Sequence, residues 1–182
     1  MNNDIVLDNS KYFNRLLSLD VQNNRCTVEP GMVLDELNRL LKPHGLWFPI
    51  DVSTSSRATI GGMAGNNSAG GRSIRYGIMR DNVQSIKAIL SDGREATFGL
   101  VQKDTADLKD HLLRLLELGE TYRDEIEVRF PKVLRRVGGY NIDALLPGTL
   151  SKRPGSNGTE DNINLAHLIV GSEGTLAYST AI

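Results

Sequence analysis

Between Pro49 and Gly77 the sequence crowds hydroxyls, amides and glycines together and nearly omits large apolar side chains. The chemistry suggested is the seating of a phosphate. Several donors must converge on such an anion, and backbone N–H groups reach it only where no side chain blocks the approach. Thr59-Ile60-Gly61-Gly62 offers a hydroxyl and two glycines where a short helix can begin, and the unpaired N–H groups and positive dipole end of a helix start favour an anion. Asn66, Asn67 and Ser68 add amides and a hydroxyl, and Gly70 and Gly71 again remove bulk. Ser53, Thr54, Ser55 and Ser56 place further hydroxyls just upstream. A Gly-rich surface loop has the same composition. The length of the segment, its apolar flanks and its two glycine pairs weigh against that alternative. No G-x-G-x-x-G follows the first strand with an acidic residue beyond it, so a Rossmann site does not fit, and no Walker lysine pattern is present.

Other reactive side chains are scattered. His44, His111, His167 and Cys26 have no metal-ligand spacing, and no nucleophile–base arrangement is suggested. Cys26 reads as a small buried hydrophobe in a strand. Arg72, Arg75 and Arg80 gather around Tyr76, and Arg135-Arg136 precede Gly138-Gly139-Tyr140-Asn141. Each group is either a solvated basic edge or a contact to an anion.

The elements that must hold these residues follow from patterning. Ile5–Leu7 and Arg15–Asp20 read as strands, Gln22-Asn23-Asn24 as a turn, and Cys26–Glu29 as the return arm. Leu34, Leu37, Leu40 and Leu41 form a helical stripe, with Asp35 and Glu36 in its first turn and Pro43 and Gly45 beyond it. Leu46–Phe48 is a short buried run, read as extended. Val83–Leu90 and Glu95–Phe98 form a second hairpin around Ser91-Asp92-Gly93. Leu108, Leu112, Leu115, Leu116 and Ile126 suit one long helix or two broken near Gly119, and Pro147–Asn162 reads as a mobile loop. A final strand covers Thr175–Ile182. Hairpins alternating with helices predict an α+β domain with a mostly antiparallel or mixed sheet flanked by helices.

Composition narrows the class of function. In 182 residues, 40% are hydrophobic and 24% charged, which suits one globular domain. A net charge of −1 argues against nucleic acid or an anionic membrane as the main partner, since both demand a basic excess. One cysteine excludes an internal disulfide. The polar opening Met1-Asn-Asn-Asp and the short apolar run after it do not read as a secretory signal, and no apolar run is long enough for a transmembrane segment. The expected location is cytoplasmic.

Nine short motifs occur in a familiar order: Val28-Glu-Pro-Gly31, Pro43-His-Gly45, Pro49-Ile-Asp51, Thr59-Ile-Gly-Gly62, Asn67-Ser-Ala-Gly70, Arg75-Tyr-Gly77, Leu90-Ser-Asp-Gly93, Gly139-Tyr-Asn-Ile-Asp143 and Gly171-Ser-Glu-Gly-Thr-Leu176. The series resembles the FAD-binding domain of the vanillyl-alcohol oxidase (PCMH) type, in the branch of glycolate oxidase, D-lactate dehydrogenase and D-2-hydroxyglutarate dehydrogenase. The resemblance implies that residues 1–182 form one partial FAD-binding domain. A pyrophosphate loop would precede it, and a substrate domain with the catalytic residues would follow. It implies non-covalent FAD, with Pro49, Asp51, Ser53, Thr54, Ser55, Thr59, Ile60, Gly61, Gly62, Asn66, Asn67, Ser68, Gly70 and Gly77 lining flavin and pyrophosphate, and Gly174 and Ile182 near the ring or ribityl chain. The implied function is the FAD-binding part of an oxidoreductase acting on a small 2-hydroxy acid. The alternatives are a non-catalytic truncated module and, with poorer wording around the glycines, a cell-wall reductase acting on a UDP-sugar.

Overall fold

The computed structural model describes residues 7–101, 109–133, 135–148 and 162–182. A hairpin opens the fold, with β1 (Leu16–Asp20) antiparallel to β2 (Arg25–Val28) and Leu19 opposite Cys26. Its turn is fastened by the Asp20 carboxylate, which accepts from the Asn23 backbone N–H (3.1 Å) and Nδ2 (2.7 Å), while Asn24 takes the left-handed conformation (φ 53°). Helix α1 (Leu34–Leu41) buries Leu34, Leu37 and Leu41. The carbonyls of Ala58 and Ser55 accept from its first N–H groups, on Leu34 (2.9 Å) and Asp35 (3.2 Å). A 3-10 turn at Lys42–His44 and a left-handed Gly45 (φ 71°) end it.

Three short helices follow: α2 (Ile60–Gly65), α3 (Ser73–Tyr76) and α4 (Met79–Asn82). The hairpin β3 (Ile86–Ile89) and β4 (Glu95–Phe98) comes next. Helices α5 (Lys109–Thr121), α6 (Arg123–Arg129) and α7 (Ala166–Ile169) precede β5 (Tyr178–Ala181). β5 adds to the hairpin, giving a three-stranded sheet in the order β4-β3-β5 with both pairings antiparallel. The two sheets touch where Val28 and Ile182 exchange both backbone hydrogen bonds (2.8 and 2.9 Å). One apolar core, including Val28, Met32, Leu37, Ile50, Ile60, Met79, Ile86, Leu165 and Val170, lies beneath both sheets and the short helices. The fold is α+β with antiparallel sheets, as the alternation of hairpins and helices predicts. Among the described residues no helix is long and apolar enough to cross a membrane.

Several expectations are corrected. The Gly-rich segment carries α2, which begins where the sequence places a short helix, and also α3, for which the sequence reading has no helix; Met32 and Pro30 carbonyls accept from the first N–H groups of α2. Leu46–Phe48 forms no strand, and Trp47 is 41% exposed, set edge-on to Tyr76 (5.2 Å between centroids) beneath the Arg72 guanidinium. Gly119 does not break α5, since a Cβ there would lie 2.8 Å from Leu145 Cβ and the glycine permits close packing; the break falls at Tyr122. Of the expected first strand, Ile5 and Val6 lie outside the described residues and Leu7 is exposed and not extended in a sheet. Most of the expected loop, residues 149–161, also lies outside them.

Candidate cofactor cleft

A cleft of about 440 Å³ opens between α2 and the 172–179 segment, with residues 7–10 at its rim. Thr59, Gly61, Gly62 and Gly65 form one wall, and Ser172, Glu173, Gly174 and Tyr178 the other. Two backbone hydrogen bonds join the walls at the base: Gly171 N–H to Ala64 O (2.8 Å) and Glu173 N–H to Gly65 O (2.9 Å). The glycines lining it are not equivalent. A Cβ on Gly61 would lie 2.5 Å from Pro30 Cβ and 2.8 Å from Pro30 O, so this glycine serves packing. On Gly62 it would meet only Thr59 Oγ1 (3.1 Å), on Gly65 only Glu173 Cα (3.9 Å), and on Gly174 (φ 75°) nothing within 4 Å. These three leave bare backbone facing open space, the surface a flat ligand needs for close approach.

The start of α2 does not work as the sequence suggests. Ile60 N–H donates to Met32 O (2.8 Å), Gly61 N–H to Pro30 O (2.7 Å) and Gly62 N–H to Thr59 Oγ1 (3.2 Å), so the donors expected to hold an anion are bonded within the chain. Among the described residues no lysine, arginine or histidine lines the cleft, whereas Asp8 and Glu173 do. Asp8 is held below the usual carboxylate range by the hydroxyl and N–H of Ser10. The lining thus suits hydroxyl- and carbonyl-bearing, uncharged parts of a ligand. One donor stands ready. Ser172 Oγ is buried without a hydrogen-bond partner, and Ser172 is 2% exposed. An unpaired buried hydroxyl carries a desolvation penalty that a ligand atom can relieve.

Of the sixteen residues singled out from sequence, Thr59, Gly61, Gly62 and Gly174 line this cleft. The others stand behind it. Ile60 is in the core, and Pro49 precedes buried Ile50. Asp51 accepts the Arg72 N–H (3.0 Å) and lies against Gly70. Ser53, Thr54 and Ser55 form the turn whose carbonyls serve Ala58 and α1. Ser68 Oγ donates to Asn66 Oδ1 (2.6 Å), Gly77 holds a left-handed turn (φ 73°), and Ile182 pairs with Val28. Asn67, fully buried at φ 52°, accepts the Arg80 N–H (2.9 Å) on Oδ1. Sequence reasoning missed Gly65 and Ser172, although Gly65 lies in the Gly-rich segment and Ser172 inside the Gly171–Leu176 motif.

The arginines resolve into separate roles. Arg72 lies over Trp47 and Arg75 over Tyr76. Arg80 and Arg136 converge on one carboxylate, Asp143, at 2.9 and 2.6 Å, and on Asn141 Oδ1 at 3.3 and 3.2 Å. Arg135 reaches Gly70 O and Ser73 Oγ (3.4 Å each). None of them lines the cleft.

His167 packs beside this cluster. Burial, reinforced by the Arg80 charge and opposed by Asp81 and Asp143, pushes its imidazole down from 6.5 to about 4. The unfolded chain takes up that proton near pH 6.5 and the folded chain only near pH 4. Stability held above pH 6.5 is therefore lost as pH falls through that window, by about 3 kcal/mol in all. Urea unfolding between pH 7 and 4.5 is expected to show a steeper loss in the wild type than in His167→Gln.

Comparison with known proteins identifies the family. The family model described as "FAD binding domain" matches residues 1–99. The D-2-hydroxyglutarate dehydrogenase of Pseudomonas putida is 33% identical over 96% of this chain and 17% of its own length. That of Escherichia coli K12 is 31% identical over 99% of this chain and 18% of its own. The glycolate oxidase subunit GlcD of Bacillus subtilis is 36% identical over 53% of this chain and 21% of its own. The chain thus spans less than a fifth of the length of the dehydrogenases it matches.

Proposed function

Because the chain belongs to the FAD-binding domain family, whose cofactor is FAD, we propose that the cleft between α2 and the 172–179 segment is where FAD rests, held without a covalent bond. The unpartnered Ser172 hydroxyl, buried in a wall of bare glycine backbone, is the observation that carries this reading. Gly62, Gly65 and Gly174 would let the cofactor lie against backbone, and Ser172 Oγ would donate to or accept from one of its polar atoms. Thr59 Oγ1, already an acceptor for Gly62 N–H, keeps its own proton to donate. Since no cationic side chain lines the cleft among the described residues, counter-charge for the pyrophosphate would come from another part of the complete protein. Bound FAD supplies the acceptor for a hydride, and the protein's share is to bind, orient and shield it. The dehydrogenase and oxidase relatives support a complete protein that oxidises a small 2-hydroxy acid, of the D-2-hydroxyglutarate, D-lactate or glycolate type. In that reading residues 1–182 are a partial domain. The near-neutral charge weighs against a nucleic-acid partner, and the location proposed for the chain is cytoplasmic.

A second reading, a module without turnover of its own, is favoured by the small share of each relative that the chain covers. Both readings share one test. FAD titrated into the 182-residue chain to a hundredfold excess over Kd is expected to stabilise it by about 2.7 kcal/mol, with a change in flavin fluorescence; no shift overturns cofactor binding by this chain. Ser172→Ala is expected to leave the FAD-free chain as stable or more so, while weakening FAD about five- to tenfold, because it deletes an unpaired polar atom and one bond to the ligand. Equal affinity for both would move the site elsewhere. Turnover with 2-hydroxy acids then separates the two readings.

A further inference from the structure

We propose that Asn141 is a positioning residue that fixes the spacing of the two cleft walls, acting through the Val170–Gly174 turn; this rests on the cleft being the ligand site. Asn141 is completely buried and uses its whole bonding capacity. Its Nδ2 donates to His167 O (3.1 Å) and Val170 O (2.7 Å), gripping the end of α7. Its Oδ1 accepts from Arg80 Nη1 (3.3 Å) and Arg136 Nη2 (3.2 Å).

The next residue, Gly171, turns the chain at φ 87° so that Ser172 enters the cleft. The space above Gly171 is closed: a Cβ there would meet Gly139 O at 3.3 Å and Asn141 Nδ2 and Asn67 Cβ at 3.4 Å each. The same cluster holds the opposite wall. Asn67, just past α2, accepts the Arg80 N–H and donates from Nδ2 to Arg136 O (3.4 Å). Asn141 therefore ties the Ser172 wall, and Asn67 the glycine wall, to one pair of arginines, while the rungs Gly171–Ala64 and Glu173–Gly65 set the separation in front. Neither asparagine lines the cleft, and their effect on a ligand is geometric.

Amide hydrogen exchange on the 182-residue chain without FAD tests this directly. Asn141→Ala is expected to speed exchange of the Gly171 and Glu173 N–H groups about tenfold relative to those of Val28 and Ile182, which bridge the two sheets. Acceleration of all four amides alike would show a general loss of stability and overturn the proposal. If Asn141→Ala does not fold, Asn141→Asp serves: it keeps the acceptor for both arginines but cannot donate, and the same two amides are expected to respond. FAD affinity supplies a second readout. Asn141→Ala should bind FAD about tenfold more weakly than Ile126→Ala, a core variant away from the cleft, at matched melting temperature. Equal affinities would overturn the proposal. Failure of the wild type to bind FAD would overturn the proposed function instead, leaving the exchange result to decide this one.

Discussion

Gly70→Ala is expected to destabilise the chain by about 4 kcal/mol, a fall of about 8–16 °C in melting temperature for a domain of this size. A Cβ on Gly70 would lie 2.0 Å from Asp51 Oδ1, 2.2 Å from Asp51 O and 2.7 Å from its carbonyl carbon. The carboxylate could swing aside, but only by releasing the Arg72 N–H, and the backbone carbonyl cannot move alone. Gly70 is itself held, its carbonyl accepting from Ser73 N–H (3.1 Å) and Oγ (2.7 Å). Either the segment around Asp51 or the start of α3 must shift. Gly71 is the internal control, because a Cβ there meets Asp51 Oδ2 at an ordinary 3.6 Å. Gly71→Ala should stay within about 1 kcal/mol of the wild type. Thermal melts of the two variants decide the matter, and equal losses would mean that the Asp51 contact does not govern this turn.

That pair of glycines shows where reading the sequence stops. Their presence is legible from composition, and so is the idea that bare backbone in this segment has a purpose. Whether a given glycine faces a ligand or a neighbour is not, since the neighbour comes from elsewhere in the chain: Pro30 for Gly61, Asp51 for Gly70, Leu145 for Gly119. Both hairpins and α1 are legible because turn residues and a leucine stripe state them locally. Helices α2, α3, α4 and α7 are four to six residues long, too short for a 3.6-residue period to register. The Thr59–Gly62 helix start is legible, but its first N–H groups are occupied by Met32 and Pro30 carbonyls some thirty residues upstream. Ser172 could be found only from three-dimensional structure, because its distinction is that none of the atoms packed around its buried hydroxyl is a hydrogen-bond partner.

Removal of the Asp143 carboxylate should be the most damaging change in the cluster behind the cleft. The Arg80, Arg136 and Asp143 side chains are only 15–17% exposed, and the two guanidiniums share this one carboxylate besides the Asn141 oxygen. With Asp143→Ala, two like charges a few ångströms apart would remain half-shielded from water, beside a histidine already held neutral. Breaking a buried pair in this way costs about 3–5 kcal/mol, most of it the uncompensated charge rather than the worth of the pair. Urea unfolding is expected to show about 4 kcal/mol lost in Asp143→Ala. Two further results follow if charge is the cause. The deficit should shrink in about 1 M salt, which screens the repulsion, and the triple variant Arg80→Met, Arg136→Met, Asp143→Leu should be more stable than Asp143→Ala alone, because it removes the orphaned charges together with their partner. A triple variant at least as unstable as Asp143→Ala would instead place the energy in the guanidinium hydrogen bonds to Asn141, since the bonds to Asn67 use the main chain of Arg80 and Arg136 and survive the substitutions, and with it the reason this cluster is polar: to hold the walls of the cleft in register.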